Sequence, residues 1–225
     1  VKPVDAWTKV QRQAESAVLL LAVESPKGEG IWPLANGSAI GPRSVLTSAV
    51  AVMELQRFRE QGWSLWALNE KHQIKLAIES SRLHTGFDRL MREQPPEGEE
   101  DSGTDQVFFD AGVLTVTGQL PHKLKTAGRE QLARLAPGAE TACLCIPNSN
   151  QQLSRFEVLT PELVKLRVER VESLADGAGF RLLLFRTSEA QVSGSVAGAP
   201  IVNDQGEVVA VYSHSNQGLH FAPLS

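Results

Sequence analysis

Cysteine is nearly missing: Cys143 and Cys145 are the only two in 225 residues. That excludes a disulfide framework and a zinc site built on cysteines. The pair sits at i, i+2 in Thr141-Ala142-Cys143-Leu144-Cys145-Ile146, so on an extended strand both side chains share one face. Two small apolar side chains in a strand buried on both faces is the expectation, with redox chemistry as the alternative. No excess of positive charge is present either, because 22 basic against 26 acidic residues leave −4. Such a surface points away from nucleic acid and from an anionic membrane. Long apolar runs are absent too. The longest, Ala17 to Val23, has seven residues, against the ~20 a membrane helix needs. The histidines His72, His84, His122 and His220 show no i, i+4 or His-x-His spacing, so no metal site and no cofactor is expected. No repeat of solenoid period occurs.

The residues that are present suit a packed globular chain. Apolar residues make up 42%, and 18 glycines bring the total to about half. At this length one domain or a close pair is expected, burying roughly 70–75% of the unfolded surface. The chain starts at Val1 rather than Met, so a processed or excised piece is expected.

Short β-like runs separated by turns dominate. Ala17–Val23, Gly37–Ile40, Ser44–Leu46, Ser64–Leu68, Ile74–Ile78, Val107–Val116 and Thr141–Ile146 make up the first seven. Glu157–Leu159, Leu163–Val171, Gly179–Arg186 and Glu207–Ser213 complete them. Turn residues such as Gly41-Pro42, Pro147-Asn148, Asp176-Gly177 and Asn203-Asp204-Gln205-Gly206 punctuate the series. This rhythm predicts an all-β sandwich or barrel rather than alternating α/β units. Helical period is confined to Met53–Arg59 and Arg129–Leu135, the second closed by Pro137-Gly138. The stretch 92–105 stands apart, with six acids (Glu93, Glu97, Glu99, Glu100, Asp101 and Asp105) against Arg92. Only prolines interrupt its polarity, so it reads as a solvated insertion loop, with a charged gate as the alternative.

Three segments, taken in order, carry a resemblance. Gly37-Ser38-Ala39-Ile40-Gly41 followed by Ser44-Val45-Leu46-Thr47-Ser48-Ala49-Val50 resembles the first barrel of trypsin-like serine proteases, especially the bacterial HtrA (Deg) branch. Phe109-Asp110-Ala111-Gly112-Val113-Leu114 is similar to the strand that carries the family's aspartate. Ser195-Val196-Ala197-Gly198-Ala199-Pro200-Ile201-Val202-Asn203 is similar to the nucleophile segment Gly-Asn-Ser-Gly-Gly-Pro-Leu-Val-Asn. Gly206-Glu207-Val208-Val209-Ala210-Val211 and Gly218-Leu219-His220-Phe221-Ala222-Pro223 resemble the strands that follow it.

The resemblance implies a fold and a degenerate site. The fold is a chymotrypsin-like double barrel: two antiparallel β-barrels side by side with a few short helices. Residues 1–16 would form an N-terminal extension, 17–120 the first barrel with the acidic loop, and 121–225 the second. At the triad positions stand Val50, Asp110 and Ala197, and the oxyanion turn is Ser195, Val196 and Ala197. The triad is the worked template of this family: Ser attacks, His takes the proton, Asp fixes the imidazole. Valine has no titratable nitrogen and alanine no oxygen, so neither proton transfer nor acyl-enzyme formation is available there.

A catalytically inactive homologue that binds a peptide or protein follows, with Gln191, Ser213, His214, Ser215 and Gly218 lining the peptide cleft. The ligand would add as an extended strand. The alternatives are a structural or oligomerisation module of a larger chain, with Val50 and Val196 closing the pocket, and a hydrolase with a relocated Ser/His pair around Ser193, Ser195, Ser213 and His214. Family tendency favours an extracytoplasmic, periplasmic location and further domains in the parent chain. Activation by N-terminal insertion is not expected, since the start lacks the family's Ile-Val-Gly-Gly.

Overall fold

The computed structural model describes residues 5–92, 109–147, 152–153, 159–175, 181–187, 196–215 and 218–223. Six strands, β1 (Val18–Glu24), β2 (Ile31–Ala39), β3 (Ser44–Thr47), β4 (Ser64–Asn69), β5 (Ile74–Leu83) and β6 (Gly112–Val116), close a barrel in the order β1-β2-β3-β6-β5-β4. Six more, β7 (Glu140–Cys145), β8 (Glu162–Ala175), β9 (Arg181–Thr187), β10 (Pro200–Val202), β11 (Val208–Ser215) and β12 (Gly218–Pro223), close a second as β10-β11-β12-β9-β8-β7. Every strand pairing is antiparallel. The all-β double barrel expected from the strand rhythm is therefore the architecture found.

The apolar run at Ala17–Val23 is buried throughout because it faces two cores. Its strand β1 shares a cluster with Ala142, Leu144 and Ile146, contributed by β7 and the residue after it. The alternate residues of β7, Cys143 and Cys145, belong to the second barrel's own cluster with Ile201, Ala199 and Tyr212. Period-2 alternation thus splits β7 between the barrel interface and a barrel interior. Both cysteines are completely buried, as a strand covered on both faces requires.

Helices depart most from the sequence pattern. The helix expected at Met53–Arg59 runs from Ala49 to Glu60 (α2), because Ser48 caps it, its Oγ accepting from the Ala51 amide at 3.1 Å. The N-terminal extension carries a helix, Ala6–Ala14 (α1), that buries Trp7, Val10 and Ala14 on one stripe. Its Val10 lies over the turn of the second barrel, where a Cβ on Gly206 would meet it at 3.7 Å. A further helix, Thr85–Arg92 (α3), covers Ala49 and Phe109 with Phe87. The short helix Arg129–Ala133 (α4) matches the second periodic segment and ends before the left-handed Gly138 (φ 91°). Strand β2 begins six residues before the expected Gly37, and β5 runs on to Leu83. The acidic stretch beyond Arg92 and most of the expected run Glu157–Leu159 lie outside the described residues.

Candidate functional site

Strand β3 ends at Thr47 and Ser48 turns the chain into α2, leaving the first amides of that helix without partners inside it. Asp110, just ahead of β6, takes them. Its Oδ1 accepts from the Val50 amide at 3.0 Å, and the Ala49 amide also donates to the carboxylate. Its Oδ2 accepts from the hydroxyl of Ser213, on β11 of the other barrel. Asp110 is buried at 3% exposure. Burial pushes its carboxyl above the usual range, against the pull of these three hydrogen bonds. A carboxylate satisfied this way joins α2 to the second barrel.

The residues from Val196 to Ala199 form a turn pinned from three sides. The Ala197 carbonyl accepts from the Asn36 amide of β2 at 2.8 Å, and the Gly198 amide donates to the Tyr212 carbonyl at 2.8 Å. Tyr212 in return donates to the Ala199 carbonyl, also at 2.8 Å. Gly198 sits at φ 83°, and a Cβ there would fall 2.1 Å from Thr47 Oγ1 and 2.3 Å from the Asn36 carbonyl. Only glycine fits between these walls. The contact also sets the turn against Thr47-Ser48, two residues from Val50.

Val50, Asp110, the Ala197 turn and Ser213 therefore converge from four separate segments. Val50 is 45% exposed, whereas Val196 is buried in the second barrel's cluster. Ala197 is half-buried. The backbones of Ser213, His214 and Ser215 form the end of β11, which pairs with β12 as far as Ser215↔Gly218 but with β10 only up to Val211. One side of that strand end has no partner strand among the described residues. Gln191, Ser193 and Ser195 lie outside the described residues.

Sequence reasoning missed Asn36. Its Nδ2 donates to the Ile146 carbonyl at 3.1 Å, its Oδ1 accepts from the Ile146 amide at 2.7 Å, and its own carbonyl accepts from Thr47 Oγ1 at 2.7 Å. An asparagine inside a strand is out of keeping with β-propensity, which is the one signal it offered.

At positions 50 and 197 the side chains are hydrocarbon, so the described site contains a placed carboxylate but neither a base nor a hydroxyl at those two points. Among the described residues, no group of three or more His, Cys, Asp or Glu side chains is placed to hold a metal ion. No helix among them is long and apolar enough to cross a membrane.

No protein-family model matches the chain, and no curated protein matches it. Solved structures do. The active form of the Rv3671c protease from M. tuberculosis is 14% identical, with a TM-score of 0.59 over 100% of this chain and 82% of that one. Its inactive form gives 14% identity and 0.55, over 99% and 90%. Deg5 gives 12% identity and 0.62, over 99% of this chain and 90% of that one. The fold is thus the chymotrypsin-like double barrel that these structures share. Identity at this level carries the fold alone.

Proposed function

We propose that the chain is a catalytically inactive homologue of trypsin-like serine proteases, kept as a scaffold that binds a peptide or protein segment in extended form. The observation that supports it is Val50 and Ala197 standing beside a carboxylate whose acceptors are already occupied by Ser213 and the α2 amides. With no nitrogen at position 50 to take a proton and no oxygen at position 197 to attack, and with the Ser213 hydroxyl buried and committed to Asp110, that cluster has a structural task only. The strand end Ser213–Ser215, unpaired on one side among the described residues, suits addition of an extended ligand. Residues 17–120 and 121–225 are taken as its two units, the crevice between them as the binding site.

Exposure of Val50 weakens the reading of a purely structural module with a filled cleft, although Val196 is buried. Burial of Ser213 at 3% and its engagement with Asp110 likewise weaken the reading of a relocated nucleophile.

Intact-mass analysis after treatment with a fluorophosphonate tests the inactive state. An unmodified mass is expected, and stoichiometric labelling overturns it. Calorimetric titration of a pool of extended peptides, repeated with His214→Pro, tests the binding mode while leaving the Ser213–Asp110 contact in place: the backbone of residue 214 faces the unpaired side, as that of Tyr212 faces Ala199. Binding that is unchanged by the proline, or that is absent from the start, overturns the edge-strand version.

A further inference from the structure

His84 stands at the joint between α3 and the segment that carries Asp110. Its Nδ1 accepts from the Gly86 amide at 3.1 Å, and its carbonyl accepts from the Asp88 amide at 3.0 Å, so it caps the first turn of α3. Its own amide donates to the Ala111 carbonyl at 2.9 Å, and its ring lies against Phe109, with centroids 5.3 Å apart and planes at 31°. One half-buried histidine therefore touches both chain neighbours of Asp110 and holds the helix beside them.

The first turn of α3 sits directly on the same ring. A Cβ at Gly86 would fall 2.3 Å from Phe109 Cδ1, and Phe87 packs with Phe109 and Ala49 in one buried cluster. Ala49 is the first residue of α2, and its amide and that of Val50 donate to Asp110. A chain of contacts thus runs from His84 through α3 to the amides that hold the carboxylate.

A histidine makes a conditional cap. Accepting at Nδ1 requires the neutral ring with its proton on Nε2. A ring protonated at both nitrogens sets one N–H against the Gly86 N–H, and places a positive charge at the amide end of the helix, where cations are unfavourable. With eight residues, α3 is too short to persist without its cap and its packing. We propose that His84 is a pH-sensitive joint: neutral, it caps α3 and holds the helix on Phe109 and Ala49; protonated, it releases the first turn and loosens the wall behind Val50 and Asp110.

The charged groups around this joint are engaged elsewhere or cationic. On α3, Asp88 is committed to Arg92 at 2.8 Å, and Arg89 follows it. Strand β5 brings Arg82, and α2 brings Glu54, paired with Arg57 at 3.4 Å. Asp110 spends its oxygens on Ser213 and the α2 amides. The cap's contribution is present while the ring is neutral and is lost on acidification, opposite in sign to that of Asp110. Local exchange separates it from Glu207, which shares its sign but lies in the second barrel.

The test follows amide exchange of the whole chain as protection factors from about pH 7.5 to about pH 5, while nitrogen NMR reads the His84 ring in the same samples. As the ring takes up its second proton, protection at Gly86 and Asp88 is expected to fall about tenfold, with Val50 moving in the same direction. His84→Asn keeps an acceptor and has no imidazole to charge, so its α3 protection is expected to stay flat over this range. Asp110→Asn is expected to leave the α3 response in place. Proton uptake with α3 protection unchanged overturns the joint, as does a ring that stays neutral throughout, or an equal loss of protection in His84→Asn. Should His84→Asn fail to fold, the ring nitrogens and the exchange of the parent chain decide alone. No peptide enters the test, so its outcome is separate from that of the binding reading.

Discussion

The side chain of Asn36 and the backbone of Ile146 exchange two hydrogen bonds across the barrel interface, Nδ2 donating at 3.1 Å and Oδ1 accepting at 2.7 Å. The amide thereby acts as a strand rung where no strand runs. Since the Asn36 backbone also holds the Ala197 carbonyl, one residue ties the first barrel to the end of β7 and to the 196–199 turn together. The position of that turn is set by buried hydrogen bonds that require no triad.

Replacing Asn36 with alanine is expected to cost about 2–4 kcal/mol, because it strands a buried amide and a buried carbonyl of Ile146 at once. Urea unfolding of Asn36→Ala against the parent checks this. A loss below ~1 kcal/mol would mean that water replaces the amide at no great penalty.

Two left-handed glycines should respond differently to the same change. Gly198→Ala sets a methyl 2.1 Å from Thr47 Oγ1 and 2.3 Å from the Asn36 carbonyl, so strain and overpacking together are expected to cost roughly 3–5 kcal/mol. At Gly206 (φ 76°) the nearest neighbour is Val10 at 3.7 Å, so only the backbone penalty of ~1 kcal/mol applies. Thermal melts of the two variants side by side decide between space and dihedral as the reason for Gly198.

Burial raises the Asp110 carboxyl above its ordinary 3.8, so the folded chain keeps this proton where the unfolded chain has released it. The stability involved is complete below the unfolded value and is lost as pH rises through the folded one. Glu207, lowered by its hydrogen bonds from Lys125 and Asn203, gives the opposite slope, present at higher pH and lost on acidification. The readout is therefore a difference. Parent stability minus that of Asp110→Asn is expected to fall with rising pH above about 4 and then level off, at no more than ~1.4 kcal/mol per pH unit. A flat difference would show that the Ser213 and α2 hydrogen bonds fully offset burial.

The barrels were legible because their strands are short apolar runs between turn residues, and a run such as Ala17–Val23 has few other fates. The convergence of Val50, Asp110 and Ala197 was legible only through three motifs taken in order. Local chemistry was harder to read. Ser48 extends α2 upstream by capping it, and α1 shows just Trp7, Val10 and Ala14 in a polar segment, a stripe that matters once the second barrel is there to receive it. Asn36 finds its partner 110 residues away, and the edge-to-face rings of Trp32, Phe58 and Trp63 come from a strand, a helix and a loop. Neither leaves a periodic trace.

The thiols of Cys143 and Cys145 are fully buried, and the hydrogen bond with Cys145 together with burial pushes the Cys143 thiol well above its ordinary range. Such thiols are poor nucleophiles. No reaction with a disulfide reagent is expected in the folded chain, and full reaction of both in denaturant. Rapid labelling without denaturant would revive the redox reading of the pair.

Installing a base at position 50 and a hydroxyl at position 197 is the most demanding prediction of the proposed reading. Ala197→Ser places a hydroxyl on the turn pinned by Asn36 and Tyr212, and Val50→His places an imidazole on the residue whose amide already meets Asp110. Each alone lacks a partner, and losing base or nucleophile in a related constellation costs about six orders of magnitude. Neither single variant is therefore expected to take up a fluorophosphonate. The double variant is expected to gain one adduct on the hydroxyl introduced by Ala197→Ser, read by intact mass and peptide mapping. Labelling of the double variant alone would mean that the framework survives and only its two reactive groups are gone. An unlabelled double variant that still folds would point instead to Ser195 and Val196, which stand where the resembled motif has Gly-Asn.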